Sequence, residues 1–275
     1  MFLPKSRTSL ALGLPVLTLT AVLLAACAPP AGGAGVPDRP ARAADSRAAA
    51  AVTGEPSTAA PAPRPLPAVT GEPSTAAPAP RPLPGVGPRM LAEIPEGTRQ
   101  VLLASGEDRD GNRATVSLYE LTDGGWEWTA GPWDAHNALR GWTFDHRQGD
   151  LRSPIGVYGL SDAGGLLPDP GTQLPYDHGP GFSISGTGSR GEPLEGSFDY
   201  VVAINYNRQP GRTPLDWTRP LGAGKGGGIW VHVDHGGPTQ GCVSISERHM
   251  RELLRALDPE LDPVIVMGDA AALAA

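Results

Sequence analysis

The stretch GGGIWVHVDHGGPTQGCVSIS, residues 226–246, decides the reading of this chain. Three glycines lead into a short apolar strand in which Trp230 and His232 alternate with Ile229, Val231 and Val233. After the turn-rich DHGGPTQ, the run from Cys242 to Ser246 reads as a second strand. Two short strands joined by Gly, Pro and Asp belong to a mainly β domain. They also bring a thiol and an imidazole to one loop, and these are the parts of a nucleophile and its base. A thiol that ordinarily titrates near ~8.5 becomes reactive at neutral pH beside an imidazole or a cluster of backbone N–H groups. Gly241 next to the sulfur is expected to take an unusual dihedral, to leave room for a substrate, and to supply oxyanion donors nearby.

Working outward, alternating apolar runs predict further strands over residues 99–104, 114–121, 126–130, 155–160, 198–206 and 264–267. One helix is predicted after Ser246, its cap. Met250, Leu253, Leu254 and Leu257 fall on one face, and Asp258-Pro259 stops it. Residues 89–275 are enough chain for a sizeable core. The expectation is one mainly β domain with one or two short helices.

At this point the residues resemble the L,D-transpeptidase catalytic-domain family (YkuD-like) of bacterial cell-wall enzymes, whose mark is a histidine on a strand followed by a Ser/Thr-x-Gly-Cys turn. Here that turn is Thr239, Gln240, Gly241 and Cys242. SPIGVYGL (Ser153–Leu160), FDYVVAINYN (Phe198–Asn207) and GGGIWVH match the same family in order, over roughly residues 98–268. The commoner family pattern has Ser-His-Gly-Cys, with Asn or Arg two residues after the cysteine, where this chain has Gln240 and Ser244. The short-loop Thr-x-Gly-Cys branch is more similar. The resemblance implies a β-sandwich-like fold, Cys242 as nucleophile and His232 as base, with the Val233 carbonyl orienting the imidazole and Gly241 and Thr239 supporting the turn. It implies peptidoglycan stem peptides as partners, no cofactor, and inhibition by carbapenems. Lys225, Arg219, Gln240, Ser244 and Trp230 are candidate substrate contacts.

The chain has two cysteines. Lys5 and Arg7 precede an apolar run from Leu10 to Leu24 that ends Leu24-Ala25-Ala26-Cys27, which reads as a lipoprotein signal peptide over residues 1–26 with lipidation at Cys27. The run is broken by Gly13 and Pro15 and is short for a spanning helix, which needs ~20 residues. Lipidation would use one thiol and leave Cys242 as the domain's single cysteine in an oxidising compartment, where such a residue is kept for its reactivity. The expected location is the outer face of the cytoplasmic membrane, held by lipid and reaching the wall. Residues 27–88 are rich in Ala and Pro and carry AVTGEPSTAAPAPRPLP twice, at 51–67 and 68–84. Dense proline favours extended polyproline II, and a segment so poor in large apolar residues reads as a disordered tether.

Other readings carry less. Gly186, Gly188 and Gly191 spell a dinucleotide-type pattern, but Pro193 follows where a helix would have to start. GAGKGGG around Lys225 lacks the Ser or Thr of a phosphate loop. His232, Asp234 and His235 lack an accompanying helical metal motif, so no metal is expected. A net charge of −7 excludes a basic nucleic-acid surface. Two functions remain. One is a cysteine acyltransferase that forms 3→3 cross-links or trims stems as an L,D-carboxypeptidase. The other is a non-catalytic wall-binding lipoprotein that keeps the fold.

Overall fold

The computed structural model describes residues 81–275. The signal peptide, Cys27 and the tether up to residue 80 lie outside the described residues.

Eight strands carry the architecture: β1 (Gln100–Gly106), β2 (Arg113–Thr122), β3 (Gly125–His136), β4 (Gly156–Gly165), β5 (Val201–Ile204), β6 (Trp230–Val233), β7 (Val243–Ile245) and β8 (Val264–Asp269). Each overlaps a run whose alternation or apolar content predicts a strand. Their order is β8-β1-β2-β3-β7-β6-β5-β4, and β4 pairs back onto β8, so the sheet closes into a barrel. Tyr176–His178 adds a short flanking strand along the end of β4.

The expected sandwich is therefore corrected to a barrel. The cause lies in β4, whose first half (Gly156–Gly159) pairs with β8 while its second half (Leu160–Gly164) pairs with β5. The register shifts between Leu160 and Asp162. An extra residue at such a point bends a strand and raises its twist, which lets one strand serve both sides of the fold. Inward and outward side chains alternate identically in a sandwich and a barrel, so the sequence pattern does not separate them.

That alternation divides the wall formed by β5, β6 and β7. Val202, Ile204, Val231, Val243 and Ile245 join the main core with Leu102, Leu118, Leu160 and Ile265. Val201, Ala203, Trp230 and Cys242 face the other way and form a second cluster with Phe182 and Phe198. This second face is the outer one, since it continues through Ser244 to His136 and the exposed Arg113.

Three helices occur among the described residues, one more than expected: α1 (Pro88–Glu93), α2 (Glu247–Ala256) and α3 (Ala270–Leu273). The Ser246 hydroxyl accepts the His249 N–H at 3.3 Å, a cap whose loss typically costs about 1 kcal/mol. Met250, Leu253 and Leu254 of α2 are fully buried in the main core, at roughly 1.5–3 kcal/mol each. The folded unit also starts earlier than residue 89. Arg81 bridges to Gly125, Leu83 and Val86 are buried, and the Gly87 N–H donates to the Leu273 carbonyl at 2.8 Å. Residues 81–88, which composition assigns to the tether, thus clip the start of the domain to its end. No helix among the described residues is long and apolar enough to cross a membrane.

Candidate active site

β6 and β7 run parallel, with Val231 beside Val243 and Ser244 beside His232. Cys242 immediately precedes β7, and its sulfur accepts the Trp230 backbone N–H at 3.4 Å. The thiol also reaches the Gly228 carbonyl at 3.7 Å. Cys242 and His232 are therefore diagonal neighbours on the outer face of adjacent strands, one step apart along the wall. The turn before Cys242 is held by two hydroxyls: Thr239 Oγ1 donates to the Cys242 carbonyl at 2.7 Å and Ser153 Oγ to the same oxygen at 3.3 Å. Thr239 Oγ1 also accepts the Gly241 N–H at 3.3 Å, so that donor is already engaged within the turn.

Gly241 does not take the unusual dihedral expected of it. Its φ is not positive, and a Cβ there would stand 2.8 Å from Ile229 Cδ1. The demand is for close approach rather than for a left-handed dihedral.

His232 is 3% exposed and donates from Nδ1 to the Val233 carbonyl at 2.8 Å. A carbonyl only accepts, so Nδ1 carries the proton and Nε2 keeps its lone pair, which is the tautomer a base needs. Burial pushes the His232 pKa down to about 4, and His235 pushes the same way, against the Val233 carbonyl and Asp234. The ring packs edge-on against Phe198 at 5.4 Å.

His235, in a glycine-rich loop, packs against neighbours on two sides. Its ring stacks on His232 with centroids 5.8 Å apart and an 11° interplanar angle, and its Nδ1 is 3.5 Å from Glu192. Burial lowers its pKa, while Asp234 and Glu192 oppose that shift. Glu192 arrives on the turn that the glycines 186, 188 and 191 build, where the Gly188 N–H donates to the Glu192 carbonyl at 2.7 Å.

The candidate substrate contacts divide. Gln240 is exposed and lines a cleft of about 40 Å³ together with Cys242, Gly241, Gly227, Gly228, Ile229 and His146. Ser244 does not face this cleft. It is fully buried and donates to Asp234 Oδ1 at 2.7 Å, and His136 donates to the same oxygen at 2.8 Å. Burial works against the Asp234 charge, but these two hydrogen bonds, the electrostatic pull of His136 and the Gly236 N–H together hold its pKa below the usual carboxylate value. Trp230 meets the sulfur through its backbone N–H, and its indole packs against Phe198 at 4.9 Å. Lys225 is paired with Asp145 at 2.5 Å. Arg219 lies over the Trp217 ring, and its guanidinium occupies the space a side chain at Gly227 would need. Neither cation lines the cleft itself. Among the described residues no cluster of His, Cys, Asp or Glu is arranged to hold a metal ion.

Sequence reading missed His146. Its ring lines the cleft beside Cys242, with Nδ1 3.0 Å from Asp150 and its edge on Tyr206. The i,i+4 spacing of His146 and Asp150 in HRQGD was the only available signal, and outside a helix that spacing has no fixed meaning.

No family model and no curated protein matches the chain. Two solved structures of the helical cell shape determining protein Pgp2 from Campylobacter jejuni, one of them a single-substitution mutant, are similar at 17% identity and a TM-score of 0.32. They cover 62% and 63% of this chain, which spans 47% of that protein.

Proposed function

We propose that this chain is a cysteine-dependent L,D-transpeptidase of the cell wall, of the YkuD-like short-loop type, working on peptidoglycan stem peptides from a lipid anchor at Cys27. The observation that carries the reading is the pairing across β6 and β7. A thiol at the mouth of a cleft has, on the neighbouring strand, an imidazole whose Nδ1 is tied to a backbone carbonyl and whose Nε2 is left as acceptor. That is the arrangement nucleophilic acyl transfer requires. In the proposed reaction the Cys242 thiol gives its proton to His232 Nε2. The sulfur then attacks the carbonyl between the L-centre of a diamino acid and the following D-alanine, and the C–N bond breaks as D-alanine leaves with a proton. The resulting thioester is resolved by an amine, giving a 3→3 cross-link, or by water, giving a trimmed stem.

The test uses the full-length protein and a disaccharide tetrapeptide, read by intact mass and product analysis. Loss of D-alanine with a transient adduct on Cys242, absent in Cys242→Ala, is expected, as is a carbapenem adduct at the same residue. A protein that binds stem peptides yet forms no adduct, although iodoacetamide labels Cys242, would instead be a non-catalytic wall-binding lipoprotein.

A further inference from the structure

The cleft beside Cys242 is lined by an imidazole other than that of His232. His232 stands on the strand wall, and His146 comes from the segment between β3 and β4. We propose that His146, steadied by Asp150, is the base that deprotonates the acceptor which resolves a Cys242 thioester. The inference rests on the acyl-transfer reading above.

The geometry divides the labour. His232 sits behind the sulfur in the wall, beside Val233 and beneath His235. His146 lies across the cleft, and its Cε1 would be 3.6 Å from a Cβ placed at Gly241. Its Nδ1 is 3.0 Å from a carboxylate oxygen of Asp150. In the neutral tautomer that keeps its proton on the side of this carboxylate, Nε2 presents a lone pair. Nε2 faces the run Gly226–Gly228, where a Cβ at Gly226 would come within 2.7 Å of it. Gly226 leaves room for the ring at that point, and the Arg219 side chain lies beside Gly227. Tyr206 fixes the two lips of the cleft relative to each other, since its hydroxyl lies 2.8 Å from the Lys225 carbonyl and 3.3 Å from that of His146. Burial also lowers the His146 pKa, with Asp150 and the Arg152 carbonyl opposing, so the ring is neutral when an acceptor arrives. An imidazole with a carboxylate close to its other nitrogen is a common construction of a general base.

In this step the lone pair of the acceptor, an amine nitrogen or a water oxygen, bonds to the thioester carbonyl carbon while its proton passes to His146 Nε2. The tetrahedral oxyanion collapses, the C–S bond breaks, and the electron pair leaves on Cys242 Sγ as thiolate. The imidazolium then returns its proton to the sulfur through solvent, restoring both groups.

The experiment follows formation and decay of the Cys242 thioester in the full-length chain with the disaccharide tetrapeptide, by rapid-quench intact mass. His146→Gln should acylate within about threefold of the wild type but release the acyl group on the order of 10²-fold more slowly, so that thioester accumulates. Hydroxylamine, a nucleophile that needs no base, should discharge it at the wild-type rate. Asp150→Asn, which keeps the imidazole, should slow release by roughly 10-fold and serves if His146→Gln fails to fold. Release from His146→Gln at the wild-type rate overturns the assignment. Equal slowing of acylation and release, without hydroxylamine rescue, also overturns it and reduces His146 to packing. If no protein, wild type included, forms a thioester, the acyl-transfer reading itself fails and this inference falls with it.

Discussion

Folding moves the His232 pKa from about 6.5 to about 4, and this sets a measurable dependence of stability on pH. Burial disfavours the imidazolium, so the unfolded chain takes up the proton first as the pH falls. The neutral side chain's stabilising contribution is complete above pH ~6.5 and is lost progressively down to pH ~4, below which both states are charged. At 1.36 kcal/mol per unit, the lost stability is roughly 3 kcal/mol. His146, His235 and His249 also have lowered pKa values and contribute with the same sign, so the wild-type slope is composite. The informative quantity is the difference from His232→Gln, whose amide can still donate to the Val233 carbonyl. Urea unfolding at half-unit intervals from pH 4 to pH 8 should give two curves that converge towards acid, their separation changing by about 1 kcal/mol per unit inside the window. In the same samples the acid limb of Cys242 alkylation should lie near pH 4 rather than 6.5. Parallel curves for wild type and variant would refute the reasoning, since His232 would then titrate alike in both states.

Gly241→Ala should destabilise by about 1–3 kcal/mol and displace the catalytic turn, because the added methyl meets Ile229 Cδ1 at 2.8 Å. Ile229→Val removes that atom, so the double variant should be clearly less destabilised than the two single changes imply, and additivity within about 0.5 kcal/mol in a denaturation cycle would count against the close-approach account. Asp162 and Arg208 are paired at 2.7 Å with side chains only 4% and 3% exposed, and Asp162→Asn should cost roughly 3–5 kcal/mol by leaving the guanidinium buried without its counter-charge. A loss below 1 kcal/mol in urea would show that water or Asn205 replaces the carboxylate.

Much of the fold was legible because the strands around the site are short and place their alternate residues on two chemically distinct faces. Trp230 and His232 on one side, and Val231 and Val233 on the other, are readable as a strand without knowing what they touch. Closure was not legible. It depends on one irregular step at Leu160–Asp162, and sequence gives a bulge no distinctive composition. Within the candidate site, the local part of the pattern located Cys242, His232 and Thr239, because a strand and a four-residue turn fix their neighbours. Ser244 was assigned to substrate because it stands two residues after Cys242, whereas the loop folds Asp234 over it and closes that position. His146 and Glu192 escaped for the opposite reason. Both come from irregular segments brought in by long-range packing, and a histidine in HRQGD or a glutamate after RG reads as solvated charge until the fold places it.

The parallel pairing of β6 with β7 has a consequence for how such a site can diversify. After Val233 the chain must travel back along the wall to start β7 at the end where β6 began, and residues 234–242 make that return. The return path is anchored at Ile245, Asn137 and Cys242 and lays His235 over His232 on the way. An insertion here would loosen the spacing between sulfur and imidazole, so this side behaves as a fixed jaw. The opposing side, residues 144–150 and 219–228, hangs from loops with no strand pairing to preserve. Changes in which acceptor the cleft admits are therefore expected to accumulate in residues 219–225 of that side, where length and charge can drift while His146 and Asp150 keep their places.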